Sequence, residues 1–223
     1  AITHGTTVVA VRYRDGVVMA GDRRATSGNL ISHRSIEKVF PADRWSGVAI
    51  AGAAGPALEM VKLFQLQLEH YEKVEGVALS LEGKANQLSQ MVRSHLPAAM
   101  QGLAVVPLFA GFDQRRGIGR LFQYDVTGGR YEEDDYATSG SGGLHAATVV
   151  KLGFHEGAGR DETVDLALRA LVTAADEDSA TGGPDPARGI WPVIATIDAS
   201  GFTRLDDAEL ASRFAALTAG GDA

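Results

Sequence analysis

Gly5 is followed by two threonines, and the run they open, TTVVAVRY from Thr6 to Tyr13, has the β-branched composition of a strand. On the plainest reading, Thr6 and Thr7 only start that strand after a loop glycine. A cut between Gly5 and Thr6 would change their chemistry, because Thr6 would then carry a hydroxyl and a free α-amine. Such an amine titrates near pH 8, so at neutral pH a useful fraction can accept the hydroxyl proton, directly or through water. One residue would supply both nucleophile and base. That arrangement needs a neighbouring cation to hold the amine's pKa down and favour the alkoxide, and a buried cation needs an acidic partner. Lys38 and Asp22, each at the edge of a strand-like run, could fill those two positions. The bland alternative for the two is an ordinary buried ion pair.

Other signatures of chemistry fail. GSGGLH, Gly140 to His145, lacks the third glycine of a dinucleotide fingerprint, and Gly83-Lys84 is followed by Ala85 where a phosphate loop needs Ser or Thr. Ser139 stands where a nucleophile elbow around Ser141 needs glycine. The histidines, His4, His33, His70, His95, His145 and His155, have no metal-ligand spacing, so neither a metal nor another cofactor is expected. The acidic run Glu132 to Asp135 reads as solvated loop charge.

Composition narrows the class. With 223 residues, 45% hydrophobic and 22% charged, the chain suits one soluble globular domain with a generous core. A formal charge of -7 argues against nucleic acid or an anionic membrane as partner, since both are polyanions. The absence of cysteine excludes disulfides and thiolate chemistry and fits a reducing, cytoplasmic setting. The longest nearly apolar run, Gly102 to Phe112, is interrupted by Pro107 and falls well short of the roughly 20 residues of a spanning helix. The front end has neither the build of a secretion signal nor an initiator methionine, so the chain is expected to be a fragment of something longer there.

The elements that must position these residues follow from periodicity. Two strands are expected at Thr6 to Tyr13 and Gly16 to Asp22, joined at Asp15-Gly16 as a hairpin, and two more at Lys38 to Phe40 and Trp45 to Gly52. From Pro56 the period changes: Leu58, Val61, Phe64, Leu68 and Tyr71 mark a helix that Gly76 closes. Leu81 to Leu96 forms a second helix. Strands return at Leu103 to Phe112 and Gly119 to Val126, then helices at Gly143 to Phe154 and Thr163 to Ala175. A strand at Ile190 to Asp198 precedes a last helix capped by Asp206, with a tail expected to fray. Strand pairs alternating with helix pairs predict an α+β fold, a four-layer αββα sandwich of two facing antiparallel sheets with outer helix pairs.

HGTTVVAVRYRDGVVMAGDRRAT, EKVF, AIAGAAG, GSG and DEDSATGGPD resemble, in order and spacing, the catalytic β subunits of the 20S proteasome, most closely the bacterial type. The likeness runs from His4 to about Asp198. It implies a threonine peptidase whose nucleophile is Thr6, freed by autocleavage at Gly5-Thr6, with residues 1–5 a residual propeptide segment and 6–223 a single N-terminal-nucleophile hydrolase domain. While those five residues remain attached, the chain is a zymogen. The resemblance further implies that Asp22 and Lys38 tune Thr6 and that Arg24 supports Asp22 and nearby backbone. It assigns Ser141, Asp176 and Ser179 to hydrogen bonds around the threonine amine, and the Gly52 N–H to the oxyanion.

An extended substrate would pair near Thr26 and Gly52 as an added strand. Ala25, Ile36, Ile50 and Ala54 would line a small apolar specificity pocket, implying cleavage after hydrophobic residues. Two departures stand out: Gly143 where the family commonly has serine, and His145 where an aromatic is common. Implied partners are other β subunits in stacked heptameric rings, flanking α subunits, an ATPase or other activator, and unfolded or tagged polypeptide. The alternatives are a smaller two-ring threonine peptidase, against which the long helices and SATGGPD speak, and an unprocessed structural ring subunit without activity.

Overall fold

A computed structural model describes residues 5–220. His4, most of the segment before Thr6 and the last three residues of the tail lie outside the described residues. Strand β1 (Val8–Tyr13) pairs antiparallel with β2 (Gly16–Gly21), with Val8 opposite Gly21 and Tyr13 opposite Gly16, so the turn falls on Arg14 and Asp15. After a short hairpin, β3 (Ala25–Ser27) and β4 (Leu30–His33), the chain enters β5 (Val39–Asp43) and β6 (Ser46–Gly52). Helices α1 (Ala54–Glu75) and α2 (Leu81–Ser94) follow, then the single turn α3 (Leu96–Ala98), which runs into a wider turn over Ala99–Leu103. Strands β7 (Val105–Asp113), β8 (Ile118–Tyr124), β9 (Arg130–Glu133) and β10 (Tyr136–Ser139) come next. Helices α4 (Gly143–Gly153) and α5 (Arg160–Glu177), strands β11 (Val193–Asp198) and β12 (Gly201–Arg204) and helix α6 (Asp207–Ala219) complete the chain.

The strands form two five-stranded antiparallel sheets, ordered β10-β1-β2-β11-β12 and β5-β6-β7-β8-β9. Because strand side chains alternate in direction, each sheet serves two cores. Val8, Ala10, Val17 and Met19 meet Ala49, Ala51, Leu108 and Leu121 between the sheets. Val9, Val11, Val18 and Ala20 face the other way, onto Ala146 and Val150 of α4 and Val164, Leu168 and Leu171 of α5. Val48, Ile50, Phe109 and Phe122 pack against Val61, Phe64 and Leu68 of α1 and Ala85 and Leu88 of α2. The result is the αββα sandwich expected from the order of elements. Each fully buried Leu or Phe contributes on the order of 2 kcal/mol from area alone.

Burial on both faces explains why TTVVAVRY and GVVMAG read as continuous apolar runs rather than alternating ones. Pro107 sits inside β7 without breaking the sheet. Ile50, its partner on β6, donates its N–H to the Lys38 carbonyl at 2.9 Å, away from β7, so the nitrogen of position 107 faces the far side. Pairing with β8 begins only at Leu108, so no ladder bond is lost. Asp206 accepts from the Glu209 N–H at 2.8 Å and starts α6 as expected.

Strands β3, β4, β9, β10 and β12 lie outside the sequence reading. They have three or four residues each, too few for a period to show. The acidic run is likewise not all loop charge. Glu132 lies in β9, and its carboxylate grips the buried Arg120 guanidinium at 2.6 and 2.8 Å, with Asp113 and Glu82 as further partners at 3.1 and 2.9 Å.

Candidate active site

The β1-β2 register, carried one residue beyond Val8 and Gly21, sets Thr7 opposite Asp22. Their main chains join through the Asp22 N–H to the Thr7 carbonyl at 3.2 Å. Thr6 therefore enters the first sheet beside the end of β2. Lys38 precedes β5 in the second sheet, and its ammonium reaches across the sandwich to Asp22. Both sheets thus meet at Thr6.

Asp22 is fully buried and saturated with donors. Its Oδ1 accepts from the Thr7 N–H at 2.9 Å and Lys38 Nζ at 2.7 Å, and its Oδ2 from the N–H groups of Arg24 at 3.0 Å and Gly182 at 2.9 Å. The Lys38 ammonium uses its three hydrogens on Asp22 Oδ1, the Arg24 carbonyl at 2.7 Å and the Gly5 carbonyl at 3.3 Å. Burial lowers the Lys38 pKa below its ordinary value, against the opposing charge and hydrogen bond of Asp22. The Thr6 hydroxyl donates to the same Gly5 carbonyl oxygen at 2.6 Å. The Thr6 hydroxyl and the Lys38 ammonium therefore share the carbonyl oxygen of the preceding peptide bond, with Thr6 only 3% exposed.

A third group comes from the far end of the chain. The Thr6 N–H donates to Ser141 Oγ at 3.2 Å, and Ser141 Oγ donates to Asp178 Oδ2 at 2.5 Å. Thr181 Oγ1 donates to that same oxygen at 2.7 Å, and the Ala180 N–H reaches Oδ1 at 3.1 Å. Burial alone would raise the Asp178 pKa. The hydrogen bonds from Ser141, Thr181 and Ala180, with a smaller share from the charge of His145, outweigh it and leave the carboxyl below the ordinary aspartate range.

Asp178 and Thr181 correct the expectation for Asp176 and Ser179. Both pairs have the same spacing within DEDSAT, so the motif fits either frame. Helix α5 runs through Glu177, leaving Asp176 exposed on its surface; Asp178, extended at φ -116°, is the first residue free to turn inward. The Ser179 side chain is exposed, and only its carbonyl joins the site, accepting from Arg24 Nη1 at 2.9 Å. The point where α5 stops is the signal that selects the frame.

Gly52 ends β6 at φ 118°, and a Cβ there would stand 2.0 Å from the Ala104 carbonyl oxygen, so only glycine fits. By strand alternation its N–H points the same way as that of Ile50, past Lys38 and toward the cleft. That cleft, about 20 Å³, is lined by Gly5, Thr6, Arg24, Ala25, Ile36, Lys38, Ile50, Gly52 and Ala54, with Glu37, Ala57 and Leu58 added. All four expected pocket residues therefore face one cavity beside Thr6. Thr26 lies next to it, its Oγ1 accepting from the Gly5 N–H at 3.3 Å. Gly140, at φ 96°, lets the loop before Ser141 pass Thr6, since a Cβ there would meet the Thr6 carbonyl oxygen at 2.1 Å.

Two facing antiparallel sheets between helix pairs, with a threonine, a lysine and an aspartate at the sheet ends, define the sandwich of the N-terminal-nucleophile hydrolases. Residues 2–185 match the family model described as proteasome subunit. The chain is 64% identical over 209 residues to a proteasome subunit beta of Acidimicrobium ferrooxidans, spanning 94% of this chain and 77% of that protein. Subunits of the same description from Streptomyces griseus and Jonesia denitrificans are 60% and 57% identical over 206 and 208 residues, covering 92% and 93% of this chain and 73% and 69% of theirs. The chain belongs to the proteasome subunit family, and these three relatives are bacterial β subunits.

Proposed function

We propose that the chain is a catalytic β subunit of a bacterial 20S proteasome, a threonine endopeptidase that degrades unfolded or tagged polypeptide through an acyl-enzyme on Thr6. The observation that carries this reading is the shared contact of Thr6 Oγ1 and Lys38 Nζ with the Gly5 carbonyl oxygen, at 2.6 and 3.3 Å. In the first reaction Thr6 Oγ adds to the Gly5 carbonyl carbon, and charge develops on an oxygen that Lys38 already contacts. Cleavage of the C–N bond, with a proton delivered to the Thr6 nitrogen, leaves an ester on Oγ. Water hydrolyses that ester and releases both the Gly5 carboxylate and the Thr6 α-amine. Residues 1–5 are then a removed segment and 6–223 a single hydrolase domain.

Loss of the Gly5 carbonyl frees the third Lys38 hydrogen for Thr6 Oγ. The α-amine takes the hydroxyl proton, Oγ attacks a substrate carbonyl, and the Gly52 N–H meets the oxyanion, a contribution of roughly 3 kcal/mol in a dry site. The leaving amine receives the proton, and water completes the cycle. Substrate lies extended between Thr26 and Gly52, with a hydrophobic side chain in the Ala25, Ile36, Ile50 and Ala54 pocket. Arg24, through its backbone N–H and its guanidinium, ties Asp22 to the loop that carries Asp178.

A site this unselective requires enclosure. The family reading supplies it: stacked heptameric β rings flanked by α subunits, fed in the cytoplasm by an ATPase or another activator. Mass determination of the subunit from assembled particles, with turnover of a short hydrophobic fluorogenic peptide, tests the reading. A Thr6 N-terminus and turnover abolished by Thr6→Ala are expected. A Gly5-Thr6 bond intact in mature particles would leave the chain a structural ring subunit.

A further inference from the structure

The hydrogen bonds around Thr6 close on themselves. From the Thr6 nitrogen the path runs to Ser141 Oγ, Asp178 Oδ2 and Thr181 Oγ1, and from there 2.7 Å to Thr7 Oγ1, on the residue next to where it began. Thr7 and Thr181 are both 0% exposed, so no water completes their hydrogen bonding from outside. Gly142 makes room for the pair: a Cβ there would stand 2.1 Å from Thr7 Oγ1 and 2.8 Å from Thr181 Oγ1.

One charge sets the direction of every bond in this ring. A carboxylate only accepts, so Ser141 and Thr181 must each spend their single hydrogen on Asp178. Thr181 can then only accept from Thr7, and Thr7 must donate. Ser141 likewise can only accept, and its one donor in the ring is the Thr6 nitrogen. An amine hydrogen drawn toward Ser141 leaves the nitrogen lone pair free for the Thr6 hydroxyl proton.

We propose that Thr7 is a positioning residue of the peptidase site, its hydroxyl locking Thr181 onto Asp178 and so holding Ser141 as an acceptor for the Thr6 amine. This rests on the reading of Thr6 as nucleophile and base. Thr7 touches neither substrate nor the reacting atoms, and its own backbone is already held by Asp22 through the 2.9 Å bond to its N–H. Only the hydroxyl is at issue.

The test compares Thr7→Val, which keeps the shape, with Thr7→Ser, which keeps the hydroxyl, in the full chain assembled with its partner subunits. Thr7→Val is expected to lower kcat by about tenfold with KM within about twofold, and Thr7→Ser to recover most of the loss. The second readout needs no turnover: a carbon-13 carboxyl titration of Asp178, whose titratable neighbours include Lys38 and His145. The Asp178 pKa should stay low in wild type and Thr7→Ser and rise in Thr7→Val. If Thr7→Val does not assemble, Thr7→Ala takes its place beside Thr7→Ser. Equal loss in the valine and serine variants, or an unmoved Asp178 titration in the variant without the hydroxyl, would overturn the proposal. A wild-type chain without peptidase activity would instead sink the peptidase reading, while the titration still decides the ring.

Discussion

Lys38 Nζ lies 2.7 Å from Asp22 Oδ1 with the two side chains 6% and 0% exposed, and this pair joins the two sheets beside Thr6. Removing one partner from such a pair leaves the other buried and uncompensated. Asp22→Asn should destabilise the fold by about 3–5 kcal/mol, as read by denaturant unfolding, and abolish both processing and turnover. Wild-type stability in that variant would mean the pair is solvated in solution.

Gly52→Ala should fail for a separate reason. The added carbon would meet the Ala104 carbonyl oxygen at 2.0 Å, on a backbone at φ 118°. The strain is worth about 1–3 kcal/mol, and any relief must move the N–H that would face the oxyanion. Thermal unfolding should fall modestly while kcat collapses, and a variant with normal kcat would exclude Gly52 from oxyanion binding.

The two frames of DEDSAT separate cleanly. Asp178→Asn should lower kcat by about ten- to a hundredfold, whereas Asp176→Asn should stay within about twofold of wild type. Stability against pH distinguishes them too. The folded Asp178 carboxyl titrates below its ordinary value of 3.8, so its stabilising share is complete above that value and is lost as pH falls through the lower folded pKa. The stability gap between wild type and Asp178→Asn should therefore close on acidification, and acid titrations followed by circular dichroism measure it.

Ala25, Ile36, Ile50 and Ala54 line the cleft beside Thr6, so on the proposed reading their small side chains set which residue precedes the cut. Ala54→Val should reduce kcat/KM for peptides with a bulky hydrophobic residue at the cleavage site by about ten- to two-hundredfold and spare those with alanine. Equal loss on both peptides would place the specificity pocket elsewhere.

The local devices of the fold were legible in the chain. Long apolar runs, the stripe from Leu58 to Leu68, Gly76 at the end of α1 and the Asp206 cap all act within a few residues, where backbone geometry decides. Thr6, Asp22, Lys38, Gly52 and Ser141 could be named from motifs, and their convergence became visible only once two sheets faced each other. The choice of Asp178 over Asp176 lay beyond the motif, because two overlapping frames of equal spacing differ only in where α5 ends. The Thr7 to Thr181 bond, the Arg120 cluster and the short edge strands were equally hidden. Each joins residues far apart in the chain through contacts that carry no period, and a hydroxyl's partner is set by what folding places within 3 Å of it.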